Sequence, residues 1–159
     1  MNFYRTYDLE LVKHIMTEPT VYPFITDDSA PAPSDFQPHD HPAIWYVLCY
    51  EGETLLGMWM LVPQNSVCWE IHTCLLPAGR GAIGRIAAQQ LQKWIWANTP
   101  CRRVVTNVPA FNKLALKYAK EAGMYEFGVN PKSFAWRGAL YDQTLLGISR
   151  PEAVRMEVA

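Results

Sequence analysis

The sequence has almost no net charge, few cysteines and no long hydrophobic run. Its 14 Lys and Arg residues are balanced by 15 Asp and Glu, which leaves a net charge of −1 over 159 residues. Proteins that hold nucleic acid through its phosphates need a clustered excess of basic side chains, so we expect no nucleic acid partner. Nowhere do eighteen apolar residues follow one another, and we therefore expect no membrane span.

The cysteines form no C-x-x-C pair and have no histidine at zinc-finger spacing. Most of them lie in apolar, strand-like runs, where a free cysteine behaves as a small buried hydrophobe. We expect structural thiols in a reducing compartment, the cytoplasm. The four residues are Cys49, Cys68, Cys74 and Cys101.

Composition and length predict one globular domain. Apolar residues make up 50% of the chain and charged residues 18%, which is typical of a folded protein with a single core. We expect this domain to span residues 1–150 and to be followed by a frayed tail, residues 151–159. The N-terminus lacks an apolar run followed by a small-residue cleavage site, so the protein is expected to be soluble and not exported.

The first half of the chain predicts strands around one irregular segment. Residues 2–7 are extended in character, and Asp8 is a good N-cap for a helix over residues 9–16. Six prolines between residues 19 and 42 predict a long irregular segment. An antiparallel meander then follows, with strands predicted over residues 44–50, 55–62 and 67–76.

The second half alternates helices and strands. Apolar residues at helical spacing predict a helix of about four turns, with Ile83, Ile86, Ala87, Leu91, Trp94 and Ile95 on its apolar face and Arg85, Gln89, Gln92 and Lys93 on the other. A strand over residues 103–108 follows, reached by a crossover that suits a parallel neighbour. Asn112 caps a helix whose apolar residues include Leu114, and Gly123 ends it. A hairpin of residues 134–136 against 141–148 turns at Arg137-Gly138.

The turn from Leu75 to Gly84 has a composition suited to holding a phosphate. A glycine-rich turn that opens onto a helix presents unpaired backbone N–H groups at the positive end of the helix dipole, which suits a pyrophosphate. The alternative is that the turn is only a tight connection between a strand and a helix.

This order of elements resembles the GNAT (Gcn5-related N-acetyltransferase) superfamily over residues 2–149. Residues 106–112 and 142–147 resemble segments of short GNAT-like proteins encoded by tailed bacteriophages. The resemblance implies an α/β fold with a mixed, mostly antiparallel sheet of about seven strands flanked by helices. It also implies that the fourth and fifth strands splay apart and that the pantetheine arm of acetyl-CoA, the co-substrate, lies in the gap.

The same resemblance implies the residues that contact acetyl-CoA. Backbone groups of Thr73, Cys74 and Leu75 would meet the pantetheine, the amides of Gly79, Arg80, Gly81, Ala82, Ile83 and Gly84 would hold the pyrophosphate, and Asn112 would lie near the pantetheine. The family pattern Q/R-x-x-G-x-G/A matches only at Gly84, because Gly79 replaces the leading Gln or Arg and Ala82 the middle Gly. Arg80 or Arg85 could supply the missing cation.

Glu70 is the leading candidate for the general base. Histone acetyltransferases of the superfamily carry a glutamate on the corresponding strand, and strand alternation puts Glu70, His72 and Cys74 on one face. A carboxylate and an imidazole in one cleft would tune each other's pKa. The alternative is that Glu70 and His72 are partly exposed strand residues with no catalytic task.

The proton donor is less clear from the sequence. The family pattern Asn-x-x-Ala-x-x-x-Tyr-x-x-x-Gly matches at Asn112, Ala115 and Gly123, but Ala119 occupies the tyrosine position. Tyr118 precedes it, about 100° away around the helix. Tyr118 is therefore a candidate catalytic acid with packing as the alternative; other possibilities are Tyr125, a water molecule, or no acid.

Two further groups have more than one interpretation. His39 and His41 flank Asp40, but these three residues are too few for a convincing metal site, so no metal is expected and the histidines could instead line the acceptor site. Trp45, Trp59 and Trp69 suit the core or a dimer surface, which leaves a homodimer open.

The sequence thus predicts an acetyl-CoA-dependent N-acetyltransferase that moves an acetyl group to an amine, either a small molecule or a protein. The altered pyrophosphate pattern and the displaced tyrosine support an alternative. It is a GNAT-like phage protein with a structural, host-interaction or CoA-binding role and weak or no catalysis. If the chain is encoded by a phage, its compartment is the host cytoplasm.

Overall fold

In the computed structural model, which describes residues 1–152, seven strands form one sheet in the order β1-β2-β3-β4-β5-β7-β6. The strands are β1 (Asn2–Thr6), β2 (Trp45–Glu51), β3 (Thr54–Pro63), β4 (Cys68–Leu75), β5 (Arg103–Pro109), β6 (Tyr125–Trp136) and β7 (Ala139–Ser149). The helices are α1 (Leu9–Met16), α2 (Tyr22–Ile25), α3 (Ala82–Asn98) and α4 (Lys113–Glu121). Neighbouring strands are antiparallel except β4 and β5. The predicted mixed α/β fold is confirmed.

Helices cover both faces of the sheet, and strand alternation sorts side chains between them. On β2, Val47 and Cys49 pack in the core beneath α3 and α4. Their neighbours Tyr46 and Leu48 pack in a second core with α1. We call these two sides the α3 face and the α1 face. Of the helices within residues 1–152, none combines the length and apolar character needed to cross a membrane.

β4 and β5 separate partway along their length. Their parallel pairing joins Cys68 to Arg103 and Glu70 to Val105, and it goes no further, although β4 continues to Leu75 and β5 to Pro109. Beyond that point β5 pairs only with β7, on its other edge. The predicted gap between the fourth and fifth strands is therefore present.

Helix termini follow their capping residues. Asp8 accepts a hydrogen bond from the Leu11 amide at 3.0 Å, and Asn112 accepts one from the Ala115 amide at 3.1 Å. Both side chains satisfy an N–H group that has no partner within its own helix. Gly123 has φ +94°, the left-handed conformation predicted for the end of α4.

Four sequence predictions about local structure were wrong. The segment predicted as irregular contains the short helix α2, and β6 begins at Tyr125, well before the predicted residue 134. On α3, Gln92 is buried and Ile86 is half exposed, because the Gln92 side chain donates to the Ala122 carbonyl at the end of α4 at 2.7 Å. Likewise Leu114, assigned to the apolar residues of α4, is almost fully exposed.

The tryptophans and the cysteines lie mainly inside the fold. Trp59 and Trp69 are buried, and Trp45 packs edge-on against Trp69 with ring centroids 5.6 Å apart, so all three belong to the core beneath α3. Cys49, Cys74 and Cys101 are buried free thiols, while Cys68 is partly exposed. The frayed tail predicted from Pro151 onward lies outside the described residues, except for Pro151 and Glu152.

Candidate active site

A cleft of about 230 Å³ occupies the gap between β4 and β5 and passes through the sheet. On the α3 face its walls come from α3 and α4, and they include Ala88, Leu91, Gln92, Tyr118 and Ala119. On the α1 face its walls include Phe24, Ile25, Glu70, His72, Asn107 and Phe134. The cleft therefore has walls on both faces of the sheet.

The hydrogen-bond register of β4 determines which backbone groups face the cleft. The Leu76 amide donates to the Leu56 carbonyl at 3.0 Å, so these two residues form a hydrogen-bonded pair across β3 and β4. Such pairs recur at every second residue of an antiparallel ladder. The backbone of Cys74 therefore bonds to β3, whereas that of Thr73 points to the gap. The predicted backbone contact of Cys74 is corrected by this register.

β5 presents one matching residue across the gap. The Ala110 amide donates to the Asp142 carbonyl at 2.9 Å, so even-numbered residues of β5 direct their backbone groups to β7. Asn107 then directs its N–H and C=O to the side of β4, beyond the last pair between the two strands. Thr73 and Asn107 are thus the central backbone groups in the cleft.

The first turn of α3 has free backbone donors. Within residues 1–152, no internal acceptor binds the amides of Gly81, Ala82, Ile83 and Gly84, as expected for the start of a helix. The amides of Gly79 and Arg80 instead donate to Leu76 and Pro77 in the preceding 3₁₀ turn. Of the six predicted pyrophosphate donors, the last four are available.

Two glycines of this turn are required by close packing. A Cβ added at Gly79 would overlap the Leu56 carbonyl, and one added at Gly84 would overlap the Gly79 carbonyl. Gly81 has φ +75° and open space around it, so its conformation is what requires glycine. The turn is therefore a tight strand-to-helix connection and also an array of free donors; the two interpretations are compatible.

Both arginines proposed as the cation have partners elsewhere. The Arg80 guanidinium donates to the Leu75 carbonyl at 3.1 and 3.2 Å and to the Thr20 carbonyl at 3.2 Å. The Leu75 carbonyl, predicted to meet the pantetheine, is therefore already bonded. Arg85 pairs with Glu121 of α4 at 3.3 Å. Both guanidinium groups remain partly exposed.

Glu70 and His72 form a pair on the α1 face of the cleft. The Glu70 carboxylate lies 3.2 Å from His72 Nε2, and Gln64 Nε2 lies 3.4 Å from its other oxygen. The hydrogen bond from His72 lowers the pKa of Glu70, and burial acts in the opposite direction. Glu70 is thus ionised at neutral pH. The predicted shared face is confirmed, because Cys74 packs in the α1 core while Trp69 and Ile71 pack beneath α3.

Cys74 is unsuited to chemistry. It is fully buried, and burial raises the pKa of its thiol to about 12, so the reactive thiolate is not formed at neutral pH. Its part in the site is packing on the α1 face.

Tyr118 lines the cleft from α4, and Tyr125 does not. The Tyr118 hydroxyl donates to the Gly84 carbonyl at 3.4 Å, and burial raises the pKa of Tyr118. Ala119, at the tyrosine position of the family pattern, is buried beside it in the cleft wall. Tyr125 lies on β6, where its hydroxyl meets the Arg103 guanidinium at 3.2 Å, so it is too remote to be the alternative acid.

The histidines of the proline-rich segment do not line the cleft. His41 Nδ1 accepts a hydrogen bond from the Ala43 amide at 3.1 Å, and the His39 carbonyl accepts one from the Tyr46 hydroxyl at 3.0 Å. Both therefore take part in local turns, and the acceptor-site interpretation of these two residues is not supported. Across residues 1–152, no three His, Cys, Asp or Glu side chains form a metal-binding group.

Residues 20–28, which we call the strap, cross the α1 face near the cleft. One end is held by the bond between Thr20 and Arg80. At the other end, the Asp28 amide donates to the Ala135 carbonyl of β6 at 3.0 Å. Between these anchors lie Phe24 and Ile25, which line the cleft.

The sequence did not identify the strap residues, Asn107, Phe134 or Gln143 as cleft residues. Phe134 and Gln143 come from β6 and β7, more than sixty residues after Glu70. Pro23 and the apolar residues around it gave a weak helical signal over only four residues. No local pattern joins these segments to the cleft, because the sheet order brings them together.

Comparison with known proteins gives a consistent family. Residues 9–124 match the family model described as "Acetyltransferase (GNAT) family". No curated protein sequence matches the chain.

Solved structures share the fold at low sequence identity. The spermidine N-acetyltransferase from Vibrio cholerae, in complex with CoA and spermine, has a TM-score of 0.75 and 15% identity, covering 93% of this chain and 94% of that one. A putative phosphinothricin N-acetyltransferase has a TM-score of 0.71 and 22% identity, with coverages of 95% and 99%. The ribosomal-protein-alanine N-acetyltransferase from Brucella melitensis has a TM-score of 0.69 and 14% identity, with coverages of 94% and 100%.

Proposed function

Because the chain belongs to the acetyltransferase (GNAT) family, we propose that it is an acetyl-CoA-dependent N-acetyltransferase whose acceptor is an amine. The observation that carries this proposal is the cleft through the sheet. On one side it is lined by Tyr118, whose hydroxyl bonds to the Gly84 carbonyl in the first turn of α3, and on the other by the Glu70–His72 pair. A thioester and an amine entering from opposite faces would meet beside β4.

The cleft and the turn that leads into α3 fit acetyl-CoA. Four free amides at the start of α3 suit a pyrophosphate, because the helix dipole and the N–H groups both favour an anion there. The gap-facing backbone groups of Thr73 and Asn107 suit the amide groups of pantetheine, and Asn112 lies at the cleft wall. When bound, acetyl-CoA supplies an acetyl group activated as a thioester.

Glu70 is proposed to take the proton of the acceptor amine, and His72 to hold the carboxylate in position. As the amine nitrogen bonds to the carbonyl carbon and the C–S bond breaks, the nitrogen loses a proton to the carboxylate. The lowered pKa of Glu70 keeps the carboxylate ionised. His72 donates a hydrogen bond to that carboxylate through Nε2 and so holds it in position.

Tyr118 is proposed to protonate the leaving thiolate. Its raised pKa keeps the hydroxyl protonated at neutral pH, and it lines the cleft near the start of α3. If Tyr118 only packs between α3 and α4, removal of its hydroxyl should have no effect on turnover.

A second candidate is a CoA-binding protein with weak or no catalysis. It is favoured by Ala119 at the tyrosine position and by the internal pairing of Arg80 and Arg85. The prediction of a tailed-bacteriophage origin, with a structural or host-interaction role in the host cytoplasm, remains part of this alternative. A homodimer also remains a prediction.

Calorimetry and a turnover assay separate the two candidates. Acetyl-CoA is titrated into the protein, and release of free CoA thiol is then followed with a panel of small amines and peptides. Binding together with thiol release supports the enzyme. Binding without release over the panel favours the CoA-binding protein, and absence of binding overturns both.

A further inference from the structure

The α1 face of the cleft has apolar walls. Phe24 and Ile25 of the strap line it together with Phe134 of β6. Phe24 is 68% exposed although the strap is anchored at both ends. Ligand clefts commonly combine such apolar and aromatic walls with a few polar groups. A phenylalanine held open beside a cleft is suited to contact with a ligand.

An aromatic cluster supports the wall formed by Phe134. The ring of Phe111 stacks on Trp136, with centroids 4.4 Å apart and planes at 20°. It meets Tyr141 edge-on at 4.7 Å and Phe134 at 6.1 Å. Such pairs stabilise one another beyond their buried area, so the wall is a preformed surface that an acceptor would not have to order.

The cleft offers one negative charge to an acceptor. Among the described residues that line it, Glu70 is the only carboxylate. The acidic residues of the strap, Asp27 and Asp28, do not line the cleft, and Asp27 accepts hydrogen bonds from the amide and hydroxyl of Ser29. Asp28 accepts bonds from the amides of Arg137 and Gly138. A second ammonium group placed between Phe24 and Phe134 would lose hydration without gaining a counter-charge.

We infer that the acceptor has a single basic nitrogen attached to an apolar or aromatic body, an inference that rests on the proposed function. The nitrogen meets Glu70, and the body packs against Phe24, Ile25 and Phe134. A small arylalkylamine and a peptide with an N-terminal phenylalanine share this chemistry, since each places its nitrogen two carbons from the ring. A polyamine does not fit it.

Amine binding tests this inference without turnover. The protein, saturated with CoA, is titrated calorimetrically with phenethylamine, with the peptide Phe-Ala-Ala and with spermidine. We expect one of the two aromatic amines to bind at least about tenfold more tightly than spermidine. Tighter binding of phenethylamine identifies the acceptor as a small molecule, and tighter binding of Phe-Ala-Ala identifies it as a peptide. Spermidine binding that is equal or tighter, or no binding of any amine, overturns the inference.

Matched variants test the role of the strap. In Phe24→Ala we expect about tenfold weaker binding of the aromatic amine and no change for spermidine. Phe127→Ala is the control, because Phe127 is also half exposed but lies on β6 outside the cleft. Unchanged binding in Phe24→Ala, with circular dichroism showing a folded protein, overturns the proposed contact.

Failure of this inference about the acceptor can be distinguished from failure of the proposed acetyltransferase function. Absence of CoA binding, or of thiol release with every amine, counts against the acetyltransferase. The amine titration is then repeated on the protein alone, where a preference for spermidine still overturns the inference and a preference for phenethylamine that depends on Phe24 still supports it.

Discussion

The carboxylate of Asp28 accepts hydrogen bonds from the backbone amides of Arg137 at 2.7 Å and Gly138 at 2.9 Å, more than a hundred residues away in the chain. Both donors have positive φ, 50° and 76°, in the tight turn between β6 and β7. The turn therefore directs two neighbouring amides toward one carboxylate. This contact fastens the strap to the hairpin that contributes Phe134 to the cleft.

Asp28→Ala is expected to release that end of the strap. Loss of two hydrogen bonds to a charged but exposed group should lower the free energy of unfolding by about 1–2 kcal/mol. The KM for the acceptor should rise while acetyl-CoA affinity stays unchanged, because the free amides lie on α3. Urea unfolding and steady-state kinetics measure both effects.

Asp35→Ala is the control for this prediction, since the one side-chain bond to Asp35 among residues 1–152 is a long contact with the Ser34 hydroxyl at 3.4 Å. An equal loss of stability in the two variants would contradict the anchoring role of Asp28.

Glu70→Gln should remove the proton acceptor and retain the shape of the cleft. We expect the rate of thiol release to fall by about 10²–10⁴, the usual contribution of a general base, with calorimetric binding of acetyl-CoA unchanged. Glu126→Gln is the matched control, because Glu126 is also an ion-paired strand residue, bonded to Lys120 at 2.7 Å, but lies outside the cleft. Full turnover in Glu70→Gln would exclude this base.

The lowered pKa of Glu70 also predicts a pH dependence of stability. The ordinary pKa is 4.5, and the bond from His72 lowers it in the folded protein. A carboxylate with a depressed pKa stabilises the fold above its unfolded pKa, and this stabilisation is lost as pH falls through the folded pKa. The wild type should therefore exceed Glu70→Gln in unfolding free energy by up to about 1 kcal/mol at pH 7.

That difference should shrink as pH falls below 4.5. Urea unfolding of both proteins at pH 7, 5, 4 and 3 measures it. A difference that stays constant or grows in acid would show that the carboxylate charge is not what His72 stabilises.

Tyr118→Phe tests the proton donor. Removing the hydroxyl should lower kcat by about 10²-fold if it protonates the thiolate, with little change in stability because the ring still fills the space between α3 and α4. Tyr125→Phe removes a hydroxyl outside the cleft and should leave kcat unchanged. If the two variants have the same kcat as the wild type, Tyr118 is a packing residue only.

Gly79→Ala is expected to disturb the turn before α3. The added Cβ would overlap the Leu56 carbonyl of β3, which is backbone and has little room to move. Overpacking of this kind costs about 1–3 kcal/mol, and the displaced turn should also weaken acetyl-CoA binding. In the control Gly128→Ala, the new Cβ meets only the tip of Leu145 at 3.4 Å, so thermal unfolding should change little.

The capped and strongly periodic elements were predictable from the sequence. Asp8 and Asn112 act locally, by binding amides three residues ahead, so their role is visible in a short window. The long extension of β6 was not predictable. It has irregular pairing between Asn130 and Phe134 and mostly exposed side chains, which obscure the alternation that identifies a strand.

Part of the site was predictable because it depends on residues that are close together in the sequence. Glu70 and His72 lie two residues apart on one strand, so alternation alone puts them on one face. The sequence predicted six backbone donors for the pyrophosphate, but only four of them are free. The 3₁₀ turn that engages the Gly79 and Arg80 amides has no clear sequence signal. Cys74 was assigned to the cleft because the register of β3 against β4, which turns its backbone away, depends on long-range pairing.

The sequence by itself determined the order of strands and helices, the caps and the glycine turn, because each depends on interactions between residues a few positions apart. Tertiary structure alone decided where β4 and β5 separate, which backbone groups remain unpaired there, and that Phe24 and Phe134 line the same cleft as Glu70. Those outcomes depend on contacts between segments tens of residues apart. Such contacts form only when the whole sheet assembles, since no local pattern encodes which distant backbone groups are left without a partner.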